Sequence, residues 1–178
     1  MLEAFDDPFG SAVAPTRAIV PTPVVPSMPG KPIVLTLPYP ISANRYWRPV
    51  RIGAHITIVP TKEAKAYKQS VGWLAKSAGI RAPLAGRVHV DLALYPKRPQ
   101  DWAKRLKADP LYWADSVMRL DLDNCRKVVY DALKDVAFGD DRCVWSDAGV
   151  VMEPDGREAC VVVTITPLVK ANPQGLIA

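Results

Sequence analysis

Proline placement sets the first constraint on this chain. Seven of its 18 prolines fall in the first 32 residues, at positions 8, 15, 21, 23, 26, 29 and 32. Proline fixes φ and carries no backbone N–H, so a segment interrupted this often neither winds into a helix nor pairs freely in a sheet. Residues 1–32 are therefore expected to form a disordered or extended tail, and residues 33–178 a folded domain. The stretch Phe5-Asp6-Asp7-Pro8-Phe9 offers either a docking point for another protein or a solvated segment. At 49% hydrophobic residues over 178, the chain can bury one core. No apolar run approaches the ~18 residues of a membrane-spanning helix. The N-terminus opens on Glu3, Asp6 and Asp7 where a secretory leader carries basic residues, so a cytoplasmic location is expected. Cys125, Cys143 and Cys160 are odd in number and widely spaced, which excludes a disulfide framework or a C-x-x-C metal motif and reads as reduced core thiols.

Hydrophobic periodicity fills the domain. Ile33–Leu37 and His55–Val59 read as strands. Thr61 can cap a helix running to about Ala78, with Ala64, Tyr67, Val71, Leu74, Ala75 and Ala78 on one face and Gly79 as its stop. Val88, Val90, Leu92 and Leu94 alternate with more polar residues, the pattern of a half-buried strand. Residues 96–118 form a polar insertion containing Trp102, Tyr112 and Trp113. Cys125, Val128, Val129, Ala132, Leu133 and Val136 recur with helical period. Late strands are expected over Val144–Met152 and Cys160–Thr166, around the turn Glu153-Pro154-Asp155-Gly156. His55 and His89 have no Cys or carboxylate at metal-ligand spacing and read as structural.

The net charge of +5 conceals a division. Residues 31–107 hold 15 Lys and Arg against 3 Asp and Glu, while residues 108–158 hold 6 against 12. A basic half fits a polyanion such as nucleic acid, and an acidic stretch inside a basic chain fits a metal site. Both also fit ordinary solvated faces.

The segment Arg119-Leu120-Asp121-Leu122-Asp123-Asn124 leads directly into the second helical pattern. In extended backbone, Asp121 and Asp123 would point to one side and repel, and a divalent cation preferring oxygen would relieve that repulsion. The same residues can equally be a helix cap. Lys127 can reach a phosphate or pair with Asp123 or Asp131. Asp140-Asp141 can supply a further carboxylate or serve a turn. Arg45, Arg48 and Arg51 flank Tyr46 and Trp47, while Lys97, Arg98, Lys104, Arg105 and Lys107 surround Trp102. Such groups contact phosphates and stack on bases, or else form solvated surfaces over packed aromatics. Asn44 can contact DNA or fix the local turn. A non-catalytic nucleic-acid-binding module would account for the basic half but leave the aspartates without a task. A docking protein working through the tail is a third reading.

Three ordered elements resemble the RusA family of Holliday-junction resolvases over residues 33–168. They are Leu37-Pro38-Tyr39-Pro40-Ile41-Ser42-Ala43-Asn44-Arg45-Tyr46-Trp47-Arg48; Asp121-Leu122-Asp123-Asn124 with Lys127 and Asp131-Ala132-Leu133; and Asp140-Asp141. The resemblance implies an α+β fold, a small mixed β-sheet packed against two main α-helices. It implies a homodimeric endodeoxyribonuclease that resolves four-way DNA junctions with Mg²⁺, or Mn²⁺ in its place. It assigns metal-binding aspartates to Asp121, Asp123 and Asp141, a catalytic lysine to Lys127 and an adjacent secondary carboxylate to Asp140. The 97–118 insertion and the tail depart from the family's compact members and point to a phage branch.

Overall fold

The computed structural model describes residues 27–170. Its elements are β1 (Ser27–Pro29), β2 (Ile33–Pro38), α1 (Ala43–Tyr46), β3 (Trp47–Ile52), β4 (His55–Pro60), α2 (Lys62–Ser77), β5 (Arg87–Tyr95), α3 (Trp102–Ala108), α4 (Leu122–Leu133), β6 (Val144–Val151) and β7 (Cys160–Lys170). Short 3₁₀ turns cover Trp113–Ser116 and Asp141–Cys143.

One mixed five-stranded sheet organises the domain. Strand β7 lies between β5 on one side and β2 with β1 on the other, all antiparallel, and β6 adds to β5 in parallel as the outer strand. A parallel neighbour needs a crossover, and α4 supplies it between β5 and β6. Along β5, buried Val88, Val90, Leu92 and Leu94 alternate with half-buried residues, as a sheet covered on one face requires. The cover is α2, through Ala64, Tyr67, Val71 and Ala75, and α4, through Cys125, Val128, Val129, Ala132 and Leu133. The α+β architecture is the one expected.

Local chemistry explains most boundaries. The Thr61 hydroxyl caps α2 by accepting from the Ala64 N–H at 3.2 Å, and the chain leaves that helix through Gly79 at φ +94°. Strands β3 and β4 form a separate two-stranded hairpin, closed by Gly53 at φ +62°. Only β4 was anticipated there; Pro49 interrupts the pattern of β3, and an isolated hairpin edge tolerates it. Strand β1 lies before residue 33, inside the segment expected to be a tail. It lies at the sheet margin, where proline is permitted, so Pro29 pairs opposite Leu168. The rest of the expected tail, residues 1–26, lies outside the described residues. The three thiols also differ from one another: Cys125 is buried, whereas Cys143 and Cys160 are only partly so. Burial pushes the Cys125 thiol up to about 11. Among the described residues, no helix is long and apolar enough to cross a membrane.

Candidate active site on helix α4

Asp121 is the N-cap of α4. It keeps extended backbone, at φ −72° and ψ 157°, and its carboxylate accepts from the Asn124 backbone N–H at 2.7 Å and from Asn124 Nδ2 at 2.6 Å. These two hydrogen bonds hold its carboxyl below the usual carboxylate range. Asp123 differs from the extended geometry expected for the pair, because it already lies inside the first helical turn. Its side chain is 95% exposed and accepts from Arg126 Nη1 at 2.9 Å.

Arg126 is the residue that sequence reasoning missed. Its Nε also pairs with Asp147 on β6, and the Tyr130 hydroxyl donates to Asp147 Oδ2 at 2.9 Å. Burial works against the Arg126 charge, but Asp147 more than offsets it and the guanidinium pKa is raised. A Cβ at Gly149 would stand 3.4 Å from Arg126 Nη2, so a residue without a side chain gives the guanidinium its room. The i, i+3 spacing of Asp123 and Arg126 was legible; the Asp147 partner, on a strand 24 positions from Asp123, was not.

Lys127 makes neither ion pair considered for it. Asp123 is taken by Arg126, and Asp131 accepts from the buried Tyr46 hydroxyl. The Lys127 ammonium instead stands 5.1 Å from the Trp47 ring centre. Tyr46 is therefore a core residue, and Trp47 is a half-exposed platform beneath the lysine. Asn44, Arg45, Arg48 and Arg51 are all exposed along α1 and β3.

In the insertion, two of the five cations are engaged within the chain. Arg98 lies 4.7 Å from the Trp102 ring centre and donates from Nε to the Pro154 carbonyl at 3.1 Å. Arg105 pairs with Asp101 at 2.9 Å and donates to the Ser116 carbonyl and hydroxyl, each at 2.9 Å. Lys97, Lys104 and Lys107 remain exposed. Trp102 packs against the buried Trp113, with ring centres 6.4 Å apart.

The other aspartate pair lies past the far end of α4. Asp140 accepts from Lys134 Nζ and from the Arg142 N–H, at 2.9 and 3.1 Å, and Lys134 lowers the pKa of its carboxyl. Asp141 opens the 3₁₀ turn and is exposed. Among the described residues, no three His, Cys, Asp or Glu side chains stand together closely enough to hold one ion.

A family model described as "Endodeoxyribonuclease RusA" matches residues 38–166. The stretch takes in the opening turn, α4 and Asp140-Asp141. The chain belongs to the RusA family. Proteins named crossover junction endodeoxyribonuclease RusA, from Escherichia coli K12 and from Enterobacteria phage 82, are each 30% identical to it over 135 residues. The alignments cover 75% of this chain and 93% of each relative. The aspartates of this RusA-family chain are hard oxygen donors of the kind Mg²⁺ takes. Within one chain they do not form a cradle for it, because α4 separates Asp121 and Asp123 from Asp141.

Proposed function

We infer that this chain is a crossover-junction endodeoxyribonuclease, hydrolysing phosphodiesters at four-way DNA junctions. The observation that carries this reading is the RusA-family match over residues 38–166. It is supported by Asp121, Asp123 and Lys127 standing toward the N-terminal end of one helix, with exposed arginines on the neighbouring hairpin. Junction-resolving nucleases make paired cuts on a substrate of two-fold symmetry, which a homodimer matches.

The proposed roles follow from placement. Asp121 and Asp123 are the cation-binding carboxylates at the α4 N-terminus, with Asp141 the third, and Mg²⁺ is the proposed ion, with Mn²⁺ able to replace it. When bound, such an ion supplies an acidified water and charge neutralisation at the scissile phosphate. The chain's own contribution is positional. Asn124 orients Asp121, and Arg126 orients Asp123. Lys127, held over Trp47, carries a positive charge one helical turn beyond Asp123, within reach of a phosphate lying along α4. Arg45, Arg48 and Arg51 would contact backbone phosphates on the hairpin side, and Asn44 joins them on α1. Lys97, Lys104 and Lys107 would do so on the insertion side. Arg98 and Arg105 support that surface from within. Asp140 is secondary, occupied by Lys134. Residues 1–26, ahead of β1, are proposed as a segment that can dock another protein, and the domain proper as the nuclease. Cytoplasmic action on host or phage DNA fits this activity.

The test is cleavage of a synthetic four-way junction beside linear duplex, flap and single strand, with Mg²⁺ or EDTA, for the wild type and Asp121→Asn. Symmetric paired nicks on the junction, lost with EDTA and in the variant while binding persists, are expected. Preferential cutting of flap or duplex would replace junction resolving with a general branch nuclease. Binding without cutting under any divalent ion would leave a DNA-binding module.

A further inference from the structure

The β3–β4 hairpin pairs with no strand of the main sheet. Its root is fixed by Thr61, whose N–H donates to the Tyr46 carbonyl and whose hydroxyl donates to the Arg45 carbonyl, each at 2.9 Å. From the Trp47–Pro60 pair at the root the ladder runs out to Ile52–His55 at the tip, a ribbon ~20 Å long at ~3.3 Å per residue. Residues directly opposite each other in a ladder share a face. One face therefore carries, outward from the root, Trp47 with Pro60, Pro49 with Ile58, and Arg51 with Ile56. Ile56 and Ile58 are 74% and 69% exposed, and Pro49 and Arg51 are exposed beside them. The opposite face shields more of its apolar surface, with Val50 and Val59 half-buried.

Ile56, Ile58 and Pro49 form an apolar strip that adds nothing to the core, on a two-stranded ribbon that gains little stability by itself. The charges around the strip define what can cover it. Residues 47–60 include Arg48 and Arg51 but no Asp or Glu. A polyanion that also offers apolar faces uses both features, and DNA with unstacked bases is such a ligand. A two-stranded ribbon fits a DNA groove, and Ile and Pro are among the side chains that wedge between base steps. The strip begins at Trp47, where the Lys127 ammonium stands 5.1 Å from the ring centre, so DNA seated along it passes directly to α4. Parting stacked base pairs within a continuous duplex is costly. At a branch point the stack is already interrupted, and the cost falls.

We propose that the Ile56–Ile58 strip, with Pro49, is a wedge that seats against the base pairs bared at a DNA branch point and makes binding favour branched over continuous duplex. The inference rests on the junction-nuclease reading made above and assigns part of its selectivity to named side chains. Arg51 shares the wedge face and Arg48 lies on the opposite one, so the ribbon presents a cation to phosphates on either side. The arginines hold any DNA; the isoleucines reward only DNA whose stack is open.

The experiment measures binding of the full chain in EDTA, without cleavage, to an immobile four-way junction and to a linear duplex of the same arm sequence. Both carry the fluorescent base aminopurine, placed beside the branch point in the junction. The wild type should prefer the junction and should brighten the aminopurine there and not in the duplex. The double variant Ile56→Thr, Ile58→Thr keeps the β-branched shape of both side chains and removes much of their apolar surface. It should bind the junction about tenfold or more weakly, lose the brightening and hold duplex affinity within about twofold. Ile56→Leu with Ile58→Leu should restore both junction signals. A Thr variant that keeps the junction preference and the brightening would overturn the wedge and leave the junction reading standing. Equal losses on junction and duplex would make the strip a general contact and overturn its part in selectivity. A loss accompanied by a lower mass in light scattering would assign the strip to contact between copies of this chain instead. A wild type that prefers the junction without brightening it would overturn the wedge even if the Thr variant failed to fold. A wild type with no preference for the junction would overturn the junction reading itself, and the inference with it.

Discussion

The two ends of α4 treat their aspartates differently. At the N-terminus, Asp121 is oriented by N–H donors of its own helix, and Asp123 is held by a guanidinium anchored on a neighbouring strand. Helix N-termini favour negative charge, so carboxylates can gather there without a full counter-charge. At the C-terminus the helix offers carbonyl oxygens instead, and Lys134 neutralises Asp140. Asp141 is left exposed and without an ion pair there among the described residues, as is Asp135. One end is built to hold two carboxylates in place; the other leaves Asp135 and Asp141 exposed.

The most severe way to test that contrast is charge removal at each end. Asp121→Asn and Asp141→Asn should each lower junction cleavage about a hundredfold or more. Truncation separates them further: Asp121→Ala should also lower the melting temperature and Asp141→Ala should not, because of the two only Asp121 caps a helix. Equal melting temperatures would remove the distinction between the ends. Lys127→Ala should slow single-turnover cleavage about tenfold or more while junction affinity falls much less; proportional losses would make Lys127 a simple phosphate contact. Joint replacement of Lys97, Lys104 and Lys107 by Ala should flatten the salt dependence of DNA binding by up to roughly one unit of log–log slope per lost phosphate contact. An unchanged slope would remove α3 from the interface. Arg126→Gln should cost from a few tenths to about 1 kcal/mol in chemical denaturation, as expected for a partly exposed ion pair. Acid titration gives the smallest effect. Lys134 lowers the folded pKa of Asp140, so this contribution is present above the ordinary carboxylate pKa and is lost as pH falls through the lowered value. Asp140→Asn should make stability less sensitive to pH in that acidic window.

Much of this arrangement was legible in the sequence. Thr61 as the cap of α2, the alternation along β5 and the apolar stripe of α4 were readable because each is a local consequence of one period or one capping residue. The family elements also located the α4 aspartates. The Asp121–Asp123 geometry was misread because a two-residue spacing means one side of a strand but not the start of a helix, and the cap begins between them. Strand β3 escaped because its proline and arginines carry no alternation, and only pairing with β4 makes it extended. The insertion yielded its charges but not its helix, since α3 buries none of its residues and leaves no stripe to read. The separation of Asp141 from Asp121 depends on the direction of β6 along α4, which no local pattern encodes.

The root of the insertion makes two distant positions depend on each other. Arg98 lies across Trp102 and is tied to the carbonyl of Pro154. A Cβ at Gly156 would stand 2.8 Å from that guanidinium, at a φ of +86° that L side chains rarely adopt. The β6–β7 turn is thus the socket into which the insertion plugs. A chimera that grafts residues 96–118 onto a shorter relative will seat them only if the recipient's turn also carries a glycine at the position of Gly156. A recipient with a side chain there would receive the insertion's charges without its orientation.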